Sequence, residues 1–77
     1  MAQVHIAGTR YAPRQAAVTS AIQAYTGMGM IEARRLAANV IEGIPVTVPV
    51  DDPDNAYNLA TELAALGVNA EADDGDY

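Results

Sequence analysis

The chain has 77 residues, enough for one small domain. Hydrophobic residues make up 51% of it, but many are alanine, and the chain has neither Phe nor Trp. We therefore expect a thin core, which keeps self-association open as a means of stabilisation. The absence of Cys excludes disulfides, thiolate metal sites and a cysteine nucleophile.

Charge limits the classes of partner. Four arginines stand against ten acidic residues, and the formal net charge is −6. A surface of this sign repels the phosphate backbone, so we expect no direct binding of nucleic acid. No apolar run approaches the roughly 20 residues of a membrane-spanning helix, and no secretory leader follows Met1. We therefore expect a cytoplasmic protein that does not bind membranes.

The first half of the chain predicts a strand followed by a helical hairpin. Residues 3–8 alternate between apolar and polar, which is the period of a strand. Residues 14–25 and 30–40 have apolar positions three and four apart, the spacing of amphipathic helices. Between them, the Gly27 of Thr26-Gly27-Met28-Gly29 fits a left-handed helix end. The outer face of the first helix is assigned to Thr19, Ser20 and Gln23.

The second half predicts an edge strand and a third helix. Residues 44–50 are β-branched and alternate, but Pro45 and Pro49 cannot donate to a ladder, which favours a sheet edge. Asp52 as N-cap and Pro53 as first residue begin the helix. Its buried stripe is predicted to be Ala56, Leu59, Ala60, Leu63 and Leu66.

A last strand is predicted over residues 68–72, and an acidic flexible tail over 73–77. The chain is thus one domain, residues 1–72, plus the tail. The order β-α-α-β-α-β predicts an α+β two-layer sandwich, in which three helices cover one face of a three-stranded sheet.

The hairpin sequence resembles the C-terminal domain of the bacterial large-subunit ribosomal stalk protein. That family has the same element order and reads Thr-Gly-Leu-Gly-Leu-Lys-Glu-Ala-Lys where this chain has Thr26–Arg34. The similarity extends over about residues 4–71 and implies a ClpS-like fold, which the protease adaptor ClpS shares with a different binding site. The identical positions are Thr26, Gly27, Gly29, Glu32 and Ala33.

The resemblance also implies a role, with departures. Stalk domains recruit translational GTPases through basic residues on the paired helices, but the matching positions here are Ser20, Gln23 and Ile31. Only Arg34, with Arg35 beside it, keeps a positive charge. The family's dimerisation segment and hinge have no counterpart before the first strand, so we expect a free-standing divergent copy from a bacterium or bacteriophage.

The predicted partner-binding residues are Met28, Met30, Ile31, Arg34 and Arg35. Methionine side chains adapt to apolar partners, arginines grip carboxylates, and an apolar residue in place of an exposed charge indicates a contact surface. The alternative is that Met28 and Met30 fill the core between the helices.

Other chemistry has weaker support. His5 is predicted to be an isolated surface histidine, with no ligand at metal spacing and no Ser or Thr that it would activate. Asp51, Asp52 and Asp54 fit helix capping better than calcium binding. The two glycines of residues 26–29 join helix to helix, unlike a phosphate-binding loop. We expect no metal, no cofactor and no enzymatic activity.

These observations predict a non-enzymatic protein–protein interaction module. Its helical hairpin would bind a translation factor or another host protein, as an adaptor or as a regulatory protein of a phage or bacterium. The alternative is a small structural protein, of a virion or another assembly, that self-associates into a homo-oligomer.

Overall fold

A computed structural model describes residues 2–73. The element order over this range is β-α-α-β-α-β, as predicted. The strands are β1, Ala2–Thr9; β2, Val46–Val50; and β3, Val68–Asp73. The helices are α1, Gln15–Thr26; α2, Met30–Ile41; and α3, Pro53–Ala65. Asp73 ends β3, and the rest of the predicted tail, residues 74–77, lies outside the described residues.

The three strands form one antiparallel sheet in the order β2-β1-β3. β1 is central, and β2, which contains Pro49, is an edge strand, as predicted. Side chains of β1 alternate between buried, as at Val4 and Ile6, and accessible, as at His5. The buried set faces the three helices, so the fold is the predicted α+β sandwich with one open sheet face.

The core is built mainly from Val, Ile, Leu and Ala, and Tyr25 and Met28 pack against it only partly buried. One assignment was wrong: Thr19, predicted on the outer face of α1, is only 6% exposed. Its hydroxyl donates to the carbonyl of Gln15 at 2.9 Å, so its polar group stays satisfied within its own helix. The largest fully buried side chains are Ile6, Ile22, Leu59, Leu63, Val4, Val18, Val40, Val48, Val50 and Val68.

The end of α2 explains why β2 begins later than predicted. Gly43 has φ +80°, and its N–H donates to the carbonyl of Val40 at 3.1 Å. The N–H of Ile44 donates to the carbonyl of Asn39 at 2.9 Å. Together these bonds form a Schellman closure, so Ile44 completes α2 and the strand starts at Val46.

The start of α3 matches the prediction in detail. Asp52 has extended backbone angles and its side chain accepts from the N–H of Asp54 at 2.9 Å. Pro53 follows as the first helical residue. An acidic cap also lies favourably against the positive end of the helix dipole.

Candidate functional site

The turn between α1 and α2 is held by Thr26. Its hydroxyl donates to the carbonyl of Ile22 at 2.6 Å and accepts from the N–H of Met28 at 3.1 Å. Gly27 has φ +70°, the left-handed conformation predicted for it, and its N–H donates to the carbonyl of Gln23. This local chemistry fixes how the second helix leaves the first and therefore which of its residues face outward.

The structure divides the five predicted binding residues into two groups. Met28 is half-buried and packs against the core, which is the alternative that we considered for it. Met30 and Ile31 are 50% and 77% exposed, and both arginines are exposed. We define the hairpin surface by four residues: Met30, Ile31, Arg34 and Arg35.

Helix geometry brings the four residues of the hairpin surface together. Ile31 is three residues before Arg34 and four before Arg35, so all three lie on one side of α2. Met30 and Arg34 are also four apart, and both line a groove of about 400 Å³. Its other lining residues belong to α1 and are small or polar: Gln15, Ala16, Thr19 and Ser20.

The hairpin is the basic part of an acidic chain. Residues 14–41 contain three of the four arginines but only one of the ten acidic residues, Glu32. Within residues 2–73, the side chains of Arg34 and Arg35 make no hydrogen bond and no ion pair. Both guanidinium groups are therefore available to carboxylates of another molecule.

A second polar cluster, on the open sheet face, was not found from the sequence. His5 Nε2 lies 3.2 Å from Asp73 Oδ2, and His5 Nδ1 lies 3.2 Å from Thr47 Oγ1. The amide of Gln3 donates to Asp73 Oδ2 at 3.3 Å. His5 and Asp73 are 68 residues apart, so only strand pairing brings them together. The prediction that His5 is isolated was therefore wrong.

This cluster has the order hydroxyl, imidazole, carboxylate, and its contacts join side chains from all three strands. Thr47 and His5 are exposed on the open sheet face, and His5 also lines a shallow groove with Ala7, Asn69, Ala70 and Glu71. The contacts that we observe link β2, β1 and β3, which is a structural role. Within the described range, no three His, Cys, Asp or Glu side chains are grouped to hold a metal.

Comparison with protein-family models and with curated proteins gives no match to this chain. No helix in the described part of the chain has the length and apolar character needed to cross a membrane.

Proposed function

We propose that this chain is a non-enzymatic protein-interaction module that binds a protein partner through the hairpin surface. The observation that carries the proposal is the 77% exposure of Ile31 beside two arginines that have no partner in residues 2–73. A large apolar side chain held in water gains free energy when a partner covers it, at about 25 cal/mol per Å².

The composition of the surface favours one kind of partner. Met30 and Ile31 supply apolar contact, and Arg34 and Arg35 supply charge that can pair with carboxylates. The complementary surface is an acidic one that carries at least one exposed apolar side chain. Because most of this chain is acidic, such a partner would be attracted to the hairpin and repelled elsewhere.

The stalk-domain resemblance supports the same location. In that family the paired helices contact translational GTPases, and the matching helices frame the groove here. Ile31 stands where the family has a lysine, so a translation factor or another host protein would be held partly by apolar contact. A cytoplasmic adaptor or regulatory protein of a bacterium or phage fits this chemistry.

Affinity capture from a bacterial lysate tests the proposal. The bait is the full chain, compared with the double variant Ile31→Asp plus Arg34→Ala. We expect the wild type to enrich a defined acidic protein, and the double variant to bind the purified partner roughly tenfold more weakly or worse.

The matched control is Ile44→Asp, the same apolar-to-acid change at a residue that is 47% exposed, follows the last helical residue of α2 and lies outside the hairpin surface. It should capture the partner as the wild type does. Equal capture by all three baits would mean that the hairpin surface is not the binding site.

A further inference from the structure

The two edges of the sheet differ in what they offer to an additional strand. In β2, Pro49 lies opposite Gln3. Because proline has no N–H to exchange, we infer that this is a non-hydrogen-bonded pair, in which the backbone groups of both residues point away from each other. The backbone N–H and C=O groups of Thr47 point to the same outer edge, because these groups alternate in direction from one residue to the next along a strand. Pro49 thus removes one of the two outward donors of β2, which protects that edge against pairing.

The edge formed by β3 keeps its outward groups. Gln3 and His5 of β1, whose backbone groups turn away from β2, lie opposite Asp73 and Glu71 of β3. By the same alternation, Ala70 and Ala72 present their N–H and C=O groups to the outer edge. β3 contains no proline, and among residues 2–73 no other strand pairs with this edge, so it can accept backbone pairing.

A groove of about 370 Å³ runs between this edge and α3. Ala60 and Ala64 of α3 and Ala70 and Ala72 of β3 line it with small side chains, and Tyr57, 67% exposed, also lines it. An added strand would point alternate side chains toward the helix layer. The alanines leave room there for apolar side chains of moderate size.

Charge selects the occupant of this edge. The remaining side chains of an added strand would lie on the open sheet face beside Glu71. The Glu71 side chain is exposed and makes no hydrogen bond or ion pair within residues 2–73. Asp73 lies on the same face of β3. A second copy of the chain would bring like charges to this face, where they repel, whereas lysine or arginine would be attracted.

We propose that the β3 edge binds an extended segment of a partner protein, in which apolar residues alternate with basic ones, as an added antiparallel strand. Backbone bonds to Ala70 and Ala72 supply affinity, while the groove and Glu71 select the side chains. This surface is separate from the hairpin, so either can function without the other.

Three synthetic peptides test this proposal against the isotope-labelled full chain by NMR. The first alternates valine with lysine, the second replaces lysine with glutamate, and the third is the lysine peptide N-methylated at its valines. We expect the first alone to shift the amide signals of residues 69–73. Glu71→Gln should weaken its Kd roughly two- to fivefold, the effect of one exposed ion pair, and Ile31→Asp should leave it unchanged.

N-methylation removes the donors that would pair with Ala70 and Ala72, so it distinguishes strand addition from charge attraction. Undiminished binding of the methylated peptide would overturn the proposal, as would equal binding of the glutamate peptide or signal shifts confined to the hairpin. Self-association through β3 without peptide would assign the edge to a second copy. Ala72→Pro should abolish binding; if that variant fails to fold, the methylated peptide makes the same test on the unaltered chain.

Discussion

At the scale of residues, side chains in the loop after β1 donate hydrogen bonds to carbonyl groups at the end of α3. The guanidinium of Arg10 donates to the carbonyl of Ala64 at 2.6 Å, and the hydroxyl of Tyr11 donates to the carbonyl of Ala65 at 3.1 Å. The N–H of Arg10 also donates to the carbonyl of Gly67. Carbonyls at a helix C-terminus have no partner within the helix, and a cation there also interacts favourably with its dipole.

Gly67→Ala should destabilise the protein through two effects. Its φ of +88° is strained for alanine by about 1–2 kcal/mol, and the new Cβ would lie 2.5 Å from Cζ of Tyr11. Moving the Tyr11 ring breaks its bond to Ala65, at a cost of about 1 kcal/mol. We expect urea denaturation to give a total loss of about 2–3 kcal/mol. Gly43→Ala is the control, because Gly43 has a similar φ of +80° and a Cβ added there would have no atom beyond its chain neighbours within 4 Å. An equal loss in this variant would mean that the Tyr11 contact costs nothing.

Asp52→Ala should lower the free energy of unfolding by about 1 kcal/mol, because it removes the acceptor for the N–H of Asp54 at the start of α3. Thermal or urea unfolding measures the change. Asp51→Ala removes the same charge one residue earlier, where no hydrogen bond is made by the side chain within the described range, and it should have a smaller effect. Identical losses would indicate a charge effect rather than capping.

At the scale of elements, α2 has one buried and one exposed face, so stability and the proposed binding would depend on different residues. Ala33, Ala37 and Val40 are fully buried against the core, whereas Ile31 is on the opposite, exposed side. Because a helix of 12 residues has little stability alone, the buried face holds it in place. Side chains on the exposed face can then be changed with little loss of stability, and the proposed binding would depend on them.

Ile31→Asp should therefore change the free energy of unfolding by less than about 0.5 kcal/mol, as expected for an exposed position. Val40→Ala should lower it by about 2 kcal/mol, because it removes buried methyl groups from the same helix. Urea denaturation of both variants makes the comparison. A loss at Ile31 comparable to that at Val40 would place Ile31 in the core and remove it from the proposed surface.

Elements with local signals could be predicted from the sequence, and contacts made by pairing could not. Asp52-Pro53 and Gly27 are local signals, and both helix ends lie where they were predicted. The His5–Asp73 contact depends on strand order, which the sequence does not encode locally. The four residues of the hairpin surface were predicted from helix periodicity and from the resemblance to stalk domains. The groove depends on how two helices pack, and that is set by the whole core.

At the scale of the molecule, the acidic charge of the chain opposes self-association. Nine of the ten acidic residues lie outside the hairpin, so two copies repel over most of their surfaces. The principal extents are 32 × 24 × 18 Å, and the Debye length at physiological salt is about 8 Å. A partner at the hairpin therefore experiences its local positive charge more than the distant acidic residues.

Light scattering coupled to size separation should give a mass near 8.0 kDa that does not change with protein concentration. The reason is the repulsion between acidic surfaces together with the proline in β2. A defined ring or higher oligomer would instead support the alternative of a self-associating virion or assembly protein.

The most direct test of the central proposal is photo-crosslinking from single positions in cells. A photoreactive residue at position 31 is compared with one at position 44, both exposed isoleucines in the native chain. We predict one defined crosslinked protein from position 31, lost when Arg34→Ala and Arg35→Ala are added, and absent from position 44. The same products from both positions, or none from position 31, would contradict a binding site on the hairpin surface.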